Sequence, residues 1–197
     1  MVLALFDFDG TITTEDCYTK FLFFATPKTR LYVGYFILLP IIFLYKLGAL
    51  PASKTRLILS KVAFWRRSES DVIYKARDYV EQVLPPLIRQ NMLERIQWHQ
   101  SQGHEIFVVS ASLNPYLSLW CKQHNIHLVC SELECINGKY TGSYIHGDCS
   151  GTNKVDLLKK QINVSNYEHI YAYGDTEEDR AMLSIADTRV YQGQQIN

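Results

Sequence analysis

The chain lacks any surplus of charge: twenty Lys and Arg balance twenty Asp and Glu over 197 residues. That balance removes the broad basic surface usual for nucleic-acid binding, so no nucleic acid is expected as a partner. No CxxC pair occurs among the five cysteines, Cys17, Cys121, Cys130, Cys135 and Cys149. An odd, scattered set points to free thiols in a reducing compartment rather than a disulfide framework. It also argues against zinc, because His124 and His127 stand three apart with no second ligand pair. Internal repeats and low-complexity linkers are absent. The amino terminus, MVLALFDFDG, is apolar for only six residues and has no basic start, which is too little for a secretory signal. The expectation is a chain that begins in the cytoplasm and enters a strand directly. Its length suits one domain with a full core, or a core carrying a small insertion.

What is present reads as alternating strands and helices. Residues 2–6 form a short apolar run ended by Asp-Phe-Asp-Gly, a buried strand. Residues 13–84 look helical and rich in aromatics, with Pro27, Pro40 and Pro51 dividing them, and Pro85-Pro86 marks the boundary that follows. A helix is expected over 87–101, a strand over 105–109 ended by Ser110, and a helix over 113–124. A further strand and a hairpin turned at Asn137-Gly138 come next. Then follow a helix over 154–161, a strand over 169–173 and a last short strand over 188–191. Short buried strands alternating with helices predict a doubly wound parallel sheet in an α/β fold. In such sheets working groups gather at the carboxyl ends of strands.

Three strand ends carry candidates. Asp7 and Asp9 are two apart on extended chain, so both carboxylates are expected on one side. Paired carboxylates call for a cation between them or a proton on one. Gly10 and Thr11 allow backbone N–H groups to approach an anion. GDTEED supplies Asp175 and Asp179, expected on the first turn of a helix; alone, such acids merely suit the helix dipole. With four carboxylates on one edge, Mg²⁺ is the expected counter-ion. Ser110 can donate to a phosphate oxygen or cap the next helix. Lys154 at a helix start opposes the dipole, which a bound anion would explain.

The order DFDGT, a strand ending in Ser, Lys, then GDTEED resembles the haloacid-dehalogenase-like phosphohydrolases over the whole chain. The insertion after the first motif is similar to the helical cap of the phosphoserine-phosphatase-like branch, which places the core at 1–12 and 85–197 and the cap at 13–84. The resemblance implies Asp7 as a nucleophile forming an aspartyl-phosphate and Asp9 as general acid and then base. It implies Mg²⁺ held by Asp7, the Asp9 carbonyl and Asp175. Asp179 would act through water or by orienting Lys154. Ser110 and Lys154 would hold phosphoryl oxygens. Dehalogenase members lack the second acid, so Asp9 argues against dehalogenation.

The cap contains LYVGYFILLPIIFLY, residues 31–45, with no charge and with Arg30 and Lys46 on its flanks. As a helix, fifteen residues reach about 22 Å, short of the roughly 30 Å hydrocarbon core. An interfacial or re-entrant helix fits better than a span, with Tyr32, Tyr35 and Tyr45 near its ends and FLFFA (21–25) as a second dipping element. This pattern resembles the cap of C-type phosphatidylglycerophosphate phosphatases. That implies a lipid phosphate substrate and a location on the cytoplasmic face of the inner membrane, with Arg56 gripping a second phosphate. The alternative is a phosphoserine-like small metabolite, held by Asp16 or Glu15 together with Arg56. An oligomer interface is a third use for the apolar stretch.

Overall fold

The computed structural model describes residues 1–196. β1 (Val2–Phe6) is the central strand of the larger sheet, as its apolar composition requires. β2 (Glu105–Leu113) and β3 (His127–Ser131) extend the sheet on one side; β6 (His169–Gly174), β7 (Thr188–Tyr191) and β8 (Gln194–Ile196) extend it on the other. The order is β3-β2-β1-β6-β7-β8. All neighbours are parallel except β8, which turns back antiparallel to β7.

Alternation along β1 sends Leu3 and Leu5 to one face and Ala4 and Phe6 to the other. The first pair packs with Phe107, Val109 and the helices α7 (Thr152–Gln161) and α8 (Arg180–Ser184). The second pair packs with α5 (Gln90–Ser101) and α6 (Asn114–Gln123). The sheet is therefore doubly wound, as the sequence pattern requires.

The insertion leaves the core after Ile12 and returns where Thr13 bridges Ile88 and the Arg89 N–H donates to the Ile12 carbonyl. It contains α1 (Cys17–Ala25), α2 (Lys28–Lys46), α3 (Ala52–Phe64) and α4 (Glu69–Asp78). Phe21, Phe64 and Tyr79 from the insertion share one apolar cluster with Phe6, Phe8, Tyr116 and Trp120 of the core. A hairpin of β4 (Leu133–Ile136) and β5 (Lys139–Tyr144) packs against α3 of the insertion. A Cβ at Gly142 would lie 2.7 Å from the Lys61 Cα, so only glycine lets β5 lie this close to α3.

Four expectations change. The helix expected from 87 starts at Gln90, because Pro85–Leu87 forms a separate 3₁₀ turn and Ile88 is extended against Thr13. The strand expected to end at Ser110 runs to Leu113 with a shift in register between those two residues. β8 follows the strand thought to be last. FLFFA is not a dipping element on its inner side: Phe21, Leu22 and Ala25 are buried in the shared core, leaving Phe23 and Phe24 partly exposed.

The stretch 31–45 lies in α2. No single helix among the described residues is long and apolar enough to cross a membrane; Lys28–Phe36 and Leu38–Lys46 meet at a 60° bend. Pro40 has no N–H and its ring crowds the carbonyl of Phe36, which puts the bend there. The helix presents Tyr32, Tyr35, Phe36 (85% exposed), Leu39, Phe43 and Leu44 to solvent, while Leu38 turns inward.

Candidate active site

The chain turns sharply where β1 ends. Gly10 has φ +79°, and a Cβ there would stand 2.3 Å from Oδ2 of Asp175, so this position needs glycine on both counts. That turn lets the β1 end meet the β6 end. Asp7, Asp175 and Asp179 each offer a carboxylate oxygen, all within 4.8 Å of one another. Hard oxygen donors in this arrangement fit a small divalent cation.

Lys154 lies across the same cluster. Its Nζ donates to Oδ1 of Asp7 at 2.6 Å and to Oδ1 of Asp179 at 2.5 Å. Only 2% of its side chain is exposed. Asp179 is further fixed by the N–H groups of Asp175 and Thr176 and the Thr176 hydroxyl, all donating to Oδ2. Both its oxygens are thus engaged, which makes it the residue that orients Lys154. Asp7 and Asp175 are left with the freer oxygens.

The charges follow from this geometry. Lys154 is one cation between two buried anions. Burial would lower its pKa, but Asp7 and Asp179 raise it, and it stays charged. For Asp179 burial works upward, yet Lys154 and the donated N–H bonds hold it below the ordinary carboxylate value. Asp7 carries the uncompensated share: burial, with Asp179 and Asp9 nearby, pushes it well up despite Lys154. Asp175 is raised, chiefly by burial. These upward pressures mark a site short of positive charge.

Asp9 departs from expectation. Its carboxylate does not share a point with that of Asp7. Oδ1 accepts the N–H of Cys17 at 2.7 Å, and Oδ2 accepts the hydroxyl of Ser112. The reason is that β1 ends at Phe6 and residues Phe8–Ile12 form a tight turn, so the two-residue alternation of a strand no longer relates Asp9 to Asp7. Burial raises its pKa to about 6, against the opposing bond from Ser112.

Thr11 also differs. Its hydroxyl donates to Oδ1 of Asp175 at 3.0 Å, so it braces a carboxylate. The Gly10 N–H points to the Thr13 hydroxyl, and Thr13, missed in the sequence, ties the turn to the carbonyls of Phe8 and Glu15. Ser110 is fully buried at the site, and its Oγ accepts the N–H of Ser112.

Arg56, expected to meet substrate, is already partnered. It is bidentate to Asp148, at 2.8 Å for both bonds, and its Nη2 also reaches Glu178 at 2.9 Å. Burial opposes its charge, but these two acids more than offset that. The sequence offered no sign of Asp148 or Glu178 as partners, since they sit 92 and 122 residues away. Below the fork, the Tyr18 hydroxyl donates to the Arg56 carbonyl at 2.6 Å and joins Ser60 and Tyr144. Asp16 caps α1 by accepting from the N–H and hydroxyl of Thr19, and Glu15 pairs with Lys20.

A cavity of about 400 Å³ opens over these groups. Asp7, Asp9, Ser110, Lys154 and Asp175 line its floor, and Asp16, Arg56, Leu59 and Tyr45 line its cap side.

A doubly wound sheet with a carboxylate–lysine centre at its carboxyl edge, covered by a helical insertion, defines an α/β protein whose working groups gather at the strand ends. The particular family follows from the chain itself: residues 4–184 match the haloacid dehalogenase-like hydrolases, and the chain belongs to that family. It is similar to Protein CicA of Caulobacter vibrioides strain NA1000, with 29% identity, covering 96% of this chain and 85% of that one. Among solved structures, a Bordetella pertussis Tohama I protein of unknown function superposes with a TM-score of 0.80 at 17% identity, covering 95% of this chain and 88% of that one. A substrate-bound phosphoserine phosphatase superposes at 0.67 with 15% identity, covering 96% of this chain and 84% of that one. At such identities these structures share the fold.

Proposed function

We propose that this chain is a Mg²⁺-dependent phosphomonoester hydrolase acting on a membrane lipid phosphate. The observation that carries the chemistry is Asp7. It is a buried carboxylate with one oxygen clamped by Lys154, beside Asp175, at the floor of an open cavity. In this reading the second oxygen of Asp7 attacks phosphorus as the bond to the leaving oxygen breaks. Asp9 gives its proton to that oxygen. Asp9 then takes a proton from water as the water oxygen attacks the aspartyl-phosphate. The Asp7–phosphorus linkage breaks, and inorganic phosphate and the Asp7 carboxylate are restored. Lys154 and Ser110 hold phosphoryl oxygens, and Thr11 and Asp179 keep Asp175 and Lys154 in place. Asp7, Asp175 and the Asp9 carbonyl would hold Mg²⁺. The ion's contribution when bound is to neutralise charge on the phosphoryl group.

The lipid assignment rests on α2. Its exposed apolar face continues to the cavity through Tyr45, which is on the lining. Each large side chain entering the interface contributes at roughly 25 cal/mol per Å². Lys28 and Lys46 flank the face and are exposed, each worth about 1 kcal/mol toward anionic lipid. Arg30 is less available, because its guanidinium donates to the carbonyls of Ala63 and Trp65. In this reading the enzyme works at the cytoplasmic face of the inner membrane, where its lipid substrate lies. A small zwitterionic phosphate such as phosphoserine is the second reading: Glu15, Asp16 and Arg56 line the cavity, but each is already engaged within the protein.

The test is phosphate release from phosphatidylglycerophosphate and phosphatidate in vesicles, beside phosphoserine in solution. Release from lipid, lost with EDTA and in Asp7→Asn, is expected. Release in Asp7→Asn at the wild-type rate would refute the chemistry, and release from phosphoserine alone would refute the substrate. The double variant Phe36→Asp/Phe43→Asp changes two exposed positions. It should cease to co-sediment with vesicles while still hydrolysing p-nitrophenyl phosphate. Unchanged sedimentation would refute membrane docking.

A further inference from the structure

Beyond the four motifs, one fully buried hydroxyl touches the group assigned the proton transfers. Ser112 is the penultimate residue of β2, two residues past Ser110, and is 0% exposed. Its Oγ–H donates to Oδ2 of Asp9, and its own N–H is held by Ser110 Oγ at 3.1 Å. The other oxygen of Asp9 accepts the N–H of Cys17, the first residue of α1. Asp9 therefore has one tether from the core and one from the cap.

We propose that Ser112 is a positioning residue for the acid–base step, holding the Asp9 carboxyl where it can reach the leaving oxygen and later the attacking water. The proposal rests on the aspartyl-phosphate reading above. The tether matters because Asp9 must serve two oxygens in turn, and proton transfer requires hydrogen-bond reach to each. A misplacement of about 1 Å can cost on the order of 100-fold. The register shift in β2 between Ser110 and Leu113 supplies the geometry. Irregularities of this kind commonly re-aim a side chain beside a site.

The test separates attack by Asp7 from the step that needs Asp9 as base. With p-nitrophenyl phosphate the leaving group departs without help from an acid. The burst of nitrophenolate then reports Asp7, and the steady rate reports hydrolysis of the phosphoenzyme. Ser112→Ala should keep its burst within about 3-fold of wild type and lose roughly 10- to 100-fold in the steady rate. Ser112→Cys, of similar volume and with a weak donor, should fall between, and it carries the same comparison if the alanine variant does not fold. In an Asp9→Asn background, Ser112→Ala should bring no further loss, because Ser112 acts through Asp9. Equal falls in burst and steady rate would overturn the proposal, as would the full alanine loss persisting in the Asp9→Asn background. A steady rate within about 2-fold of wild type would do the same. A wild-type enzyme with neither burst nor turnover overturns the parent reading; a wild-type burst with an unaffected Ser112→Ala overturns only this one.

Discussion

Replacing Lys154 by Met keeps most of the side-chain volume and removes one charge from the centre of the site. In the native site three carboxylates, Asp7, Asp175 and Asp179, face a single ammonium. Two of them lose their shortest bond in the variant. Removing one partner from a buried ionic cluster typically costs about 3–5 kcal/mol, because the remaining charges keep their desolvation penalty. For a domain of this size about 1 kcal/mol moves the midpoint by roughly 2–4 °C. Thermal unfolding in EDTA should therefore show Lys154→Met melting about 6–20 °C below wild type. The deficit should shrink at pH 5: carboxylates without a cation have higher folded-state pKa values, and protonating them favours the folded state. Added Mg²⁺ should raise the midpoint of the variant more than that of the wild type, since a more negative site binds a cation more tightly and ligand binding stabilises by mass action. Phosphate release should stay very low even when the fold is restored, because a phosphoryl contact is gone. A deficit under about 2 °C in EDTA, or an Mg²⁺ increment no larger than that of wild type, would refute the charge account.

Arg56→Lys should impair the lipid and p-nitrophenyl phosphate by the same factor, because a single ammonium cannot reproduce the fork that ties α3 to Asp148 and Glu178; a rise in KM for the lipid alone would place Arg56 on the substrate. His99 is fully buried and bonds the Tyr173 hydroxyl and the His104 ring. Burial, with His104 and Arg95 nearby, lowers its pKa from 6.5 to about 3. The unfolded chain then binds the extra proton first, so stability should fall as pH drops from about 6.5 toward 3, by about 2 kcal/mol at pH 5. Urea unfolding of wild type against His99→Gln between pH 7 and 5 checks this, and an identical pH slope in the two proteins would refute it.

The sheet was legible because its signal is local. Five apolar residues before Asp7 describe a strand buried on both faces, and Asn137-Gly138 describes a hairpin turn. The structure has both, with φ +50° and +71° in the turn. Boundaries were less legible where tertiary pairing overrides propensity. Ile88 is extended because Thr13 pairs with it, and β2 continues past Ser110 with a shifted register against β3. At the site, the chemistry-bearing residue types could be named from motif order alone. Their partners could not.

By itself the sequence determined the class of fold, the family, the residue types at the three strand ends and the presence of an uncharged apolar helix in the insertion. These depend on composition, period and order along the chain, which are properties of neighbours in sequence. The tertiary structure decided which carboxylates share a point and which do not. It separated Asp9 from Asp7 and gave it to Ser112 and Cys17, turned Thr11 to Asp175, and closed Arg56 on Asp148 and Glu178. It also decided that Phe36 and Phe43 face solvent while Phe21 is core. The physical reason is the same in each case. A hydrogen bond or a buried contact between residues far apart in the chain depends on distance in space, as at Gly10, where an added Cβ would stand 2.3 Å from Oδ2 of Asp175.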